Sequence, residues 1–379
     1  MELRRAAGSL LVVGLADKEL SAMERALLKL VRPAGIILFK RNIADRKQAR
    51  AMVSEARGLC PPHSAGFVDV EGGTVNRLNQ ALAPIPSAQA VAQAALVTGK
   101  TSLVREHGEL IARAVKAFGF NTSLAPMVDL ALEDSVEVLG SRSPGSTAAD
   151  VVAYARGFLG GLKAQGVVGC CKHFPGLGAG TRDSHLETPE IRRTWRELWQ
   201  EDLEPYRALG GAMPMVMVNH AAYPRTADKK RPASVSRFWI QTVLRKRIGY
   251  RGIVLSDDLE MGGVVKFMPI EQAAIETVGA GSELILICHH AEPILRVYEA
   301  LISEGERSAA FRRVLMDRAR ISDGKRVKAF PADIPAALST AQFEALRAGI
   351  LRFGETIEKI VPRETRRTAP KAATLVEIA

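Results

Sequence analysis

Eight short, mostly apolar runs recur along the chain: 9–14 (SLLVVG), 34–39 (AGIILF), 65–69 (AGFVD), 119–124 (GFNTSL), 167–171 (VVGCC), 214–218 (PMVMV), 252–256 (GIVLS) and 283–288 (ELILIC). Runs of this length without polar alternation are what strands covered on both faces require, and that means a parallel sheet with helices packed on it. Between the runs lie helix-length amphipathic segments with start signals, such as Asp45 before RKQARAMVSEAR and Ser236 before RFWIQTVLRKR. The repeat predicts an α/β fold, a closed (β/α)8 TIM barrel. An open doubly wound sheet would normally carry a glycine-rich phosphate turn after its first strand, and VVGLADKEL contains no GxGxxG.

One such barrel accommodates most of the 379 residues. We expect the catalytic barrel over 1–305, helices packed on its exterior over 306–360 (FRRVLMDRARI and TAQFEALRAGILRFGETIEKIV), and a flexible polar tail over 361–379. Hydrophobic residues at 47% and charged residues at 25% exclude a disordered or fibrous chain. The net charge of +11 raises the question of a polyanionic partner. Aromatics are only 5%, the basic residues are scattered, and the densest cluster (Arg363, Arg366, Arg367, Lys371) falls in the tail. The charge therefore reads as a solvated basic surface, with no nucleic acid as partner.

No apolar stretch reaches the length of a membrane span, so no membrane partner is expected, and Arg4 and Arg5 before the first run are read as preceding a strand and not as a signal peptide. The four cysteines, Cys60, Cys170, Cys171 and Cys288, show neither paired CxxC spacing nor the density of a disulfide scaffold. They read as buried reduced thiols, with cytoplasmic residence the default. No cofactor and no metal are expected, and oligomeric state is not legible.

Barrel enzymes assemble their sites from the loops after the strands, so polar residues just beyond each run are the candidates. Lys40 and Arg41 follow the second run, Asp69 ends the third, and Asp129 follows the fourth. Lys172 and His173 follow the fifth, Asn219 and His220 the sixth, Asp257 and Asp258 the seventh, and His289 and His290 the eighth. Asp257 has two open readings: a nucleophile fixed at the barrel mouth, or a cap on the following helix, a role Asp258 fits better. The segment KHFPGLGAGTRDSHLETP at 172–189 is glycine-rich and predicts a long loop. Within it Asp183 and His185 stand one residue apart, so the carboxylate can hold one imidazole nitrogen and leave the other to a substrate. Such a histidine suits a group that donates a proton in one step and accepts one in the next.

Together, DVEGGTVNR (69–77), KHFPGLG (172–178), DSHLETP (183–189) and SDDLEMGG (256–263) stand in the order seen in family 3 glycoside hydrolases. The chain resembles the single-domain β-N-acetylhexosaminidases of that family, which act on cell-wall muropeptides. AGIILFKRNI (34–43) and LGSRS (139–143) extend the likeness over about residues 8–300. The resemblance implies Asp257 as nucleophile and Asp183 with His185 as the acid/base pair, the histidine replacing the usual carboxylic acid. It also implies sugar contacts at Asp69, Arg77, Arg142, Lys172 and His173. The implied reaction releases terminal β-linked N-acetylglucosamine with retention, from peptidoglycan-derived muropeptides or chito-oligosaccharides.

Three positions depart from the family pattern. Val70 stands where glutamine is usual, Thr74 where arginine is common, and Leu177 where KHFPGHG has its second histidine. Other readings stay open: a phosphorylase or a β-glucosidase on the same site, or a sugar-binding barrel without catalysis. A metal-dependent hydrolase would be expected to carry an HxH pair after its first strand, where this chain reads GLADKE.

Overall fold

The computed structural model describes residues 2–135, 139–180 and 188–362. The eight apolar runs become eight parallel strands: β1 (Leu11–Gly14), β2 (Gly35–Leu38), β3 (Ala65–Val68), β4 (Thr122–Ser123), β5 (Val168–Phe174), β6 (Met215–Val218), β7 (Ile253–Asp258) and β8 (Leu284–Ile287). They close in sequence order, with β8 pairing back onto β1 through Leu11↔Ile285 and Val13↔Ile287. The (β/α)8 barrel read from the sequence is the observed fold.

Alternation along each strand divides the core in two. Val12, Ile37, Phe67, Cys170, Met215, Met217, Ile253, Leu255, Leu284 and Leu286 fill the barrel interior. Their neighbours Leu11, Val13, Ile36, Val68, Cys171, Val216, Val254 and Ile285 face outward, into the layer shared with the helices. That layer is reached by amphipathic helices whose caps match their sequence signals. Asp45 accepts from the N–H groups of Lys47 and Gln48 at the start of Arg46–Leu59, and Ser236 Oγ accepts from Trp239 N–H before the wide-turned helix Phe238–Arg247.

Beyond the eighth strand the chain forms helices Ala291–Arg307, Ala309–Ala329 and Thr340–Ile360. Between the last two, Phe330 enters the bottom of the barrel and meets Phe67 edge-on at 6.4 Å. Glu283, just before β8, is buried there against Arg245 (2.6 Å) and Lys325 (2.9 Å), tying the helix Ala309–Ala329 to the floor. The end opposite the mouth is thus closed by side chains, and the chemistry-bearing residues are left to the other end. All four cysteines are buried and unpaired. Among the described residues no helix is long and apolar enough to cross a membrane.

Candidate active site

Extending the interior alternation one step beyond the apolar residues identifies the mouth. Ile253 and Leu255 lead to Asp257, Ala65 and Phe67 lead to Asp69, and Val168 and Cys170 lead to Lys172. Each polar side chain therefore sits on top of a packed hydrophobic column, on a strand end whose backbone is already committed to the sheet. Asp257 is half-buried, and its Oδ1 accepts the Asp258 N–H at 3.0 Å. Burial pushes the interior thiols of Cys170 and Cys288 up, and the charges of Asp257 and Asp69 add to the shift in both.

On the β3 side the chain turns back as a two-stranded ribbon, Val70–Gly72 with Val75–Asn76. The DVEGG sequence is a backbone requirement here. Gly72 and Gly73 both have positive φ, and a Cβ on Gly72 would lie 2.1 Å from the Pro86 carbonyl oxygen. The ribbon carries Glu71, which is buried. Its Oε1 accepts from Lys172 Nζ at 2.7 Å and Arg142 Nη2 at 2.8 Å, and its Oε2 accepts from Arg142 Nε at 2.9 Å. Lys172 Nζ also reaches Asp69 Oδ1 at 2.9 Å, and Arg77 Nε stands 3.8 Å from Asp69 Oδ2. Burial alone would raise the Glu71 carboxyl, but Arg142 and Lys172 hold it well below the usual carboxylate range. Burial would likewise lower the Lys172 ammonium, and Asp69 and Glu71 outweigh it. Glu71, Arg142, Lys172 and Asp69 form one cluster of alternating charge, with Arg77 at its edge.

His173 is oriented from behind. Asp129 Oδ2 accepts from its ring Nδ1 at 2.7 Å and from its backbone N–H at 3.1 Å, while Asp129 Oδ1 accepts the Leu177 N–H at 2.8 Å. A carboxylate only accepts, so Nδ1 is the donor in this contact and Nε2 is the other ring nitrogen, directed away from Asp129. Asn219 donates to the His173 carbonyl at 3.0 Å, and Tyr223 donates to the Gly176 carbonyl at 2.7 Å, fixing the start of the KHFPG segment.

Of the residues singled out in the sequence, the structure brings Asp69, Arg77, Arg142 and Lys172 into the charged cluster, pairs His173, next in sequence to Lys172, with Asp129, and sets Asp257 on the facing strand end. Asp183 and His185 lie outside the described residues. Lys172 and His173 belong to β5 itself and do not follow it. Asp258 is not a helix cap: its Oδ1 accepts from Glu260 N–H at 3.1 Å in a turn, and its Oδ2 lies 3.1 Å from His289 Nε2, while the next helix begins at Gly262. The departing residues fall outside the charged cluster. Val70 and Leu177 are packed in the core, and Thr74 is exposed at the ribbon tip. Glu71 was passed over in the sequence although it stands inside DVEGG, and alternation was the available signal. It is the residue two before Gly73 on a ribbon, not on a barrel strand.

A closed βα barrel with a buried charged cluster gathered at its C-terminal mouth has the architecture of a barrel enzyme. The chain belongs to glycoside hydrolase family 3: the family model described as Glycosyl hydrolase family 3 N terminal domain matches residues 2–321. A beta-hexosaminidase of Idiomarina loihiensis is 32% identical over 82% of this chain and 94% of its own length. One from Methylococcus capsulatus is 36% identical over 81% of this chain and 91% of its own. Among solved structures, NagZ from Neisseria gonorrhoeae in complex with N-trifluoroacetyl-D-glucosamine superposes with a TM-score of 0.76 at 26% identity, covering 93% of this chain and 98% of that one. A family 3 beta-N-acetylglucosaminidase from Paenibacillus gives a TM-score of 0.82 at 28% identity, over 93% of this chain and 69% of that one.

Proposed function

We propose that the protein is a retaining β-N-acetylglucosaminidase that releases terminal β-linked N-acetylglucosamine from peptidoglycan-derived muropeptides or chito-oligosaccharides in the cytoplasm. The observation that carries the reading is the placement of Asp257 across the barrel mouth from a fixed Asp69, Lys172, Glu71 and Arg142 cluster. One side supplies a nucleophile, and the other supplies donors and acceptors for a polyhydroxylated ring. The similarity to beta-hexosaminidases and to a NagZ solved with an N-acylated glucosamine supports the N-acetyl sugar. The barrel with its helical extension acts as one catalytic unit.

In this reading the Asp257 carboxylate attacks the anomeric carbon as the glycosidic C–O bond breaks, and His185 gives its proton to the departing oxygen. His185, held by Asp183, then takes a proton from water. That water attacks the anomeric carbon, releasing Asp257 and retaining the β configuration. Lys172, His173, Arg142, Asp69 and Arg77 bind the sugar.

The test is to compare nitrophenyl β-N-acetylglucosaminide with the β-glucoside and to follow the configuration of the first-formed product by NMR in phosphate buffer. The N-acetylglucosaminide should be preferred by about a hundredfold or more in kcat/KM, because a polar site rejects a substrate lacking the matching group. The product should be the free β-anomer. Equal specificity constants would move the chain to the glucosidase branch, and a sugar 1-phosphate product would make it a phosphorylase.

A further inference from the structure

We propose that Glu71 is the positioning residue of the sugar site, the group that fixes Lys172 and Arg142 relative to each other so that their remaining donors present one geometry to the ligand. The inference rests on the assignment of that cluster to sugar binding. Glu71 is 2% exposed, whereas the Arg142 side chain keeps 14% exposure. The carboxylate thus lies beneath Arg142 and beside Lys172, which is nearly as buried as Glu71 itself, and acts through them.

Three features make Glu71 suited to this role. Its two oxygens take Arg142 as a fork, Nε at 2.9 Å and Nη2 at 2.8 Å, which sets the guanidinium plane as well as its position. Its Oε1 is shared with Lys172 Nζ at 2.7 Å, so one atom sets the separation of two like charges that would otherwise repel. Its backbone is itself held: Ser123 Oγ donates to the Val70 carbonyl at 2.9 Å, and Gly73 N–H to the Ile85 carbonyl at 2.8 Å.

The donor inventory gives the consequence. The Lys172 ammonium has three N–H bonds, with Asp69 and Glu71 as partners for two of them, and the Arg142 guanidinium has five, of which Glu71 takes two. Neutralising Glu71 leaves an NH2 facing one of these cations, breaks the fork and frees both side chains to move apart. Binding of the sugar, in ground state and transition state alike, should weaken more than the bond-making step does.

The test uses the full chain with Glu71→Gln and Arg142→Lys, measuring kcat and KM on nitrophenyl β-N-acetylglucosaminide, inhibition by free N-acetylglucosamine, and thermal unfolding. Loss of a charge-assisted buried hydrogen bond predicts that KM and the inhibition constant both rise about thirtyfold, with kcat changed less than about fivefold. Arg142→Lys keeps the charge on Glu71 but cannot make the fork. It reports on the same geometry if Glu71→Gln folds poorly, and should raise KM similarly. A second readout is chemical rescue: added guanidinium should restore activity to Arg142→Ala but not to the Arg142→Ala, Glu71→Gln double variant. Unchanged KM and inhibition constant in Arg142→Lys, or equal rescue with and without the Glu71 carboxylate, would overturn the proposal. Turnover of this substrate by the unaltered chain reads the N-acetylglucosaminidase assignment separately.

Discussion

Replacing Asp129 with asparagine isolates what a buried carboxylate behind His173 contributes to the site. Three donors converge on Asp129: His173 Nδ1 at 2.7 Å, His173 N–H at 3.1 Å and Leu177 N–H at 2.8 Å. Asparagine keeps one oxygen and presents an NH2 in place of the other. If the NH2 takes the Oδ1 position it faces the Leu177 N–H. If it takes the Oδ2 position it faces the His173 N–H, and the imidazole must move its proton to Nε2 to accept. Either arrangement strands a buried donor, at a stability loss of about 1–3 kcal/mol. The second arrangement also reverses the polarity of the ring nitrogen left to the ligand. We expect kcat/KM on the nitrophenyl N-acetylglucosaminide to fall about 10- to 100-fold, equivalent to about 1.4–2.8 kcal/mol of lost transition-state stabilisation. Steady-state kinetics beside calorimetric unfolding checks this. A variant that unfolds earlier yet keeps kcat/KM within about twofold of the unaltered enzyme would show that Asp129 only braces the loop.

Two predictions concern the scaffold. A Cβ on Gly14 would lie 1.8 Å from the Cys288 carbonyl oxygen where β1 meets the segment after β8, so Gly14→Ala should lose more than about 4 kcal/mol and yield little soluble protein. Gly58→Ala, in helix Arg46–Leu59 with open space around it, should gain up to about 1 kcal/mol, and denaturant titration separates the two. His107 is buried beneath the C-terminal helix, stacked on Phe353 at 5.9 Å with Nδ1 3.0 Å from the Tyr154 hydroxyl, and burial holds its pKa down to about 3 against the opposing pull of the Pro86 carbonyl. A folded-state value below the unfolded one means stability fully present above the ordinary histidine pKa and lost as pH falls toward 3. Between pH 6.5 and 5 the unaltered chain should lose about 1.6 kcal/mol that His107→Phe does not, and equal changes in unfolding free energy for the two proteins, from urea titrations at both pH values, would contradict this.

The barrel was legible because most of its strands are short, nearly continuous apolar runs spaced by helix-length segments, which few other arrangements tolerate. Strand ends were less so. The fourth run, 119–124, contributes only Thr122–Ser123, since the Asn121 side chain accepts from Gly66 N–H at 2.8 Å and takes a place the ladder would have filled. The fifth run stops at Cys171 when read by hydrophobicity, yet β5 continues to Phe174, past an irregularity in its pairing with β6, as the inward position passes from the Cys170 thiol to the Lys172 ammonium. The residues proposed to contact the sugar were found through motifs. Their mutual contacts were not legible, because Glu71, Arg142 and Lys172 are distant in sequence and meet only once the barrel closes. Asp258 looked like a helix cap because it follows a strand and precedes a helix, and its turn and its contact with His289 depend on a neighbouring strand's loop.

The central claim is a covalent glycosyl-enzyme on Asp257, and its most direct measurement traps that species. His185→Ala enzyme mixed with nitrophenyl β-N-acetylglucosaminide should release a burst of nitrophenol, because this leaving group departs with little protonation. It should then stall when water has to be activated. Quenching at the end of the burst, digestion and mass spectrometry should place one N-acetylhexosamine on the peptide containing Ile253–Asp258, with the label on Asp257 and absent from Asp257→Ala. A label on Asp258 or on another carboxylate, or steady turnover with no burst and no labelled peptide, would contradict the account.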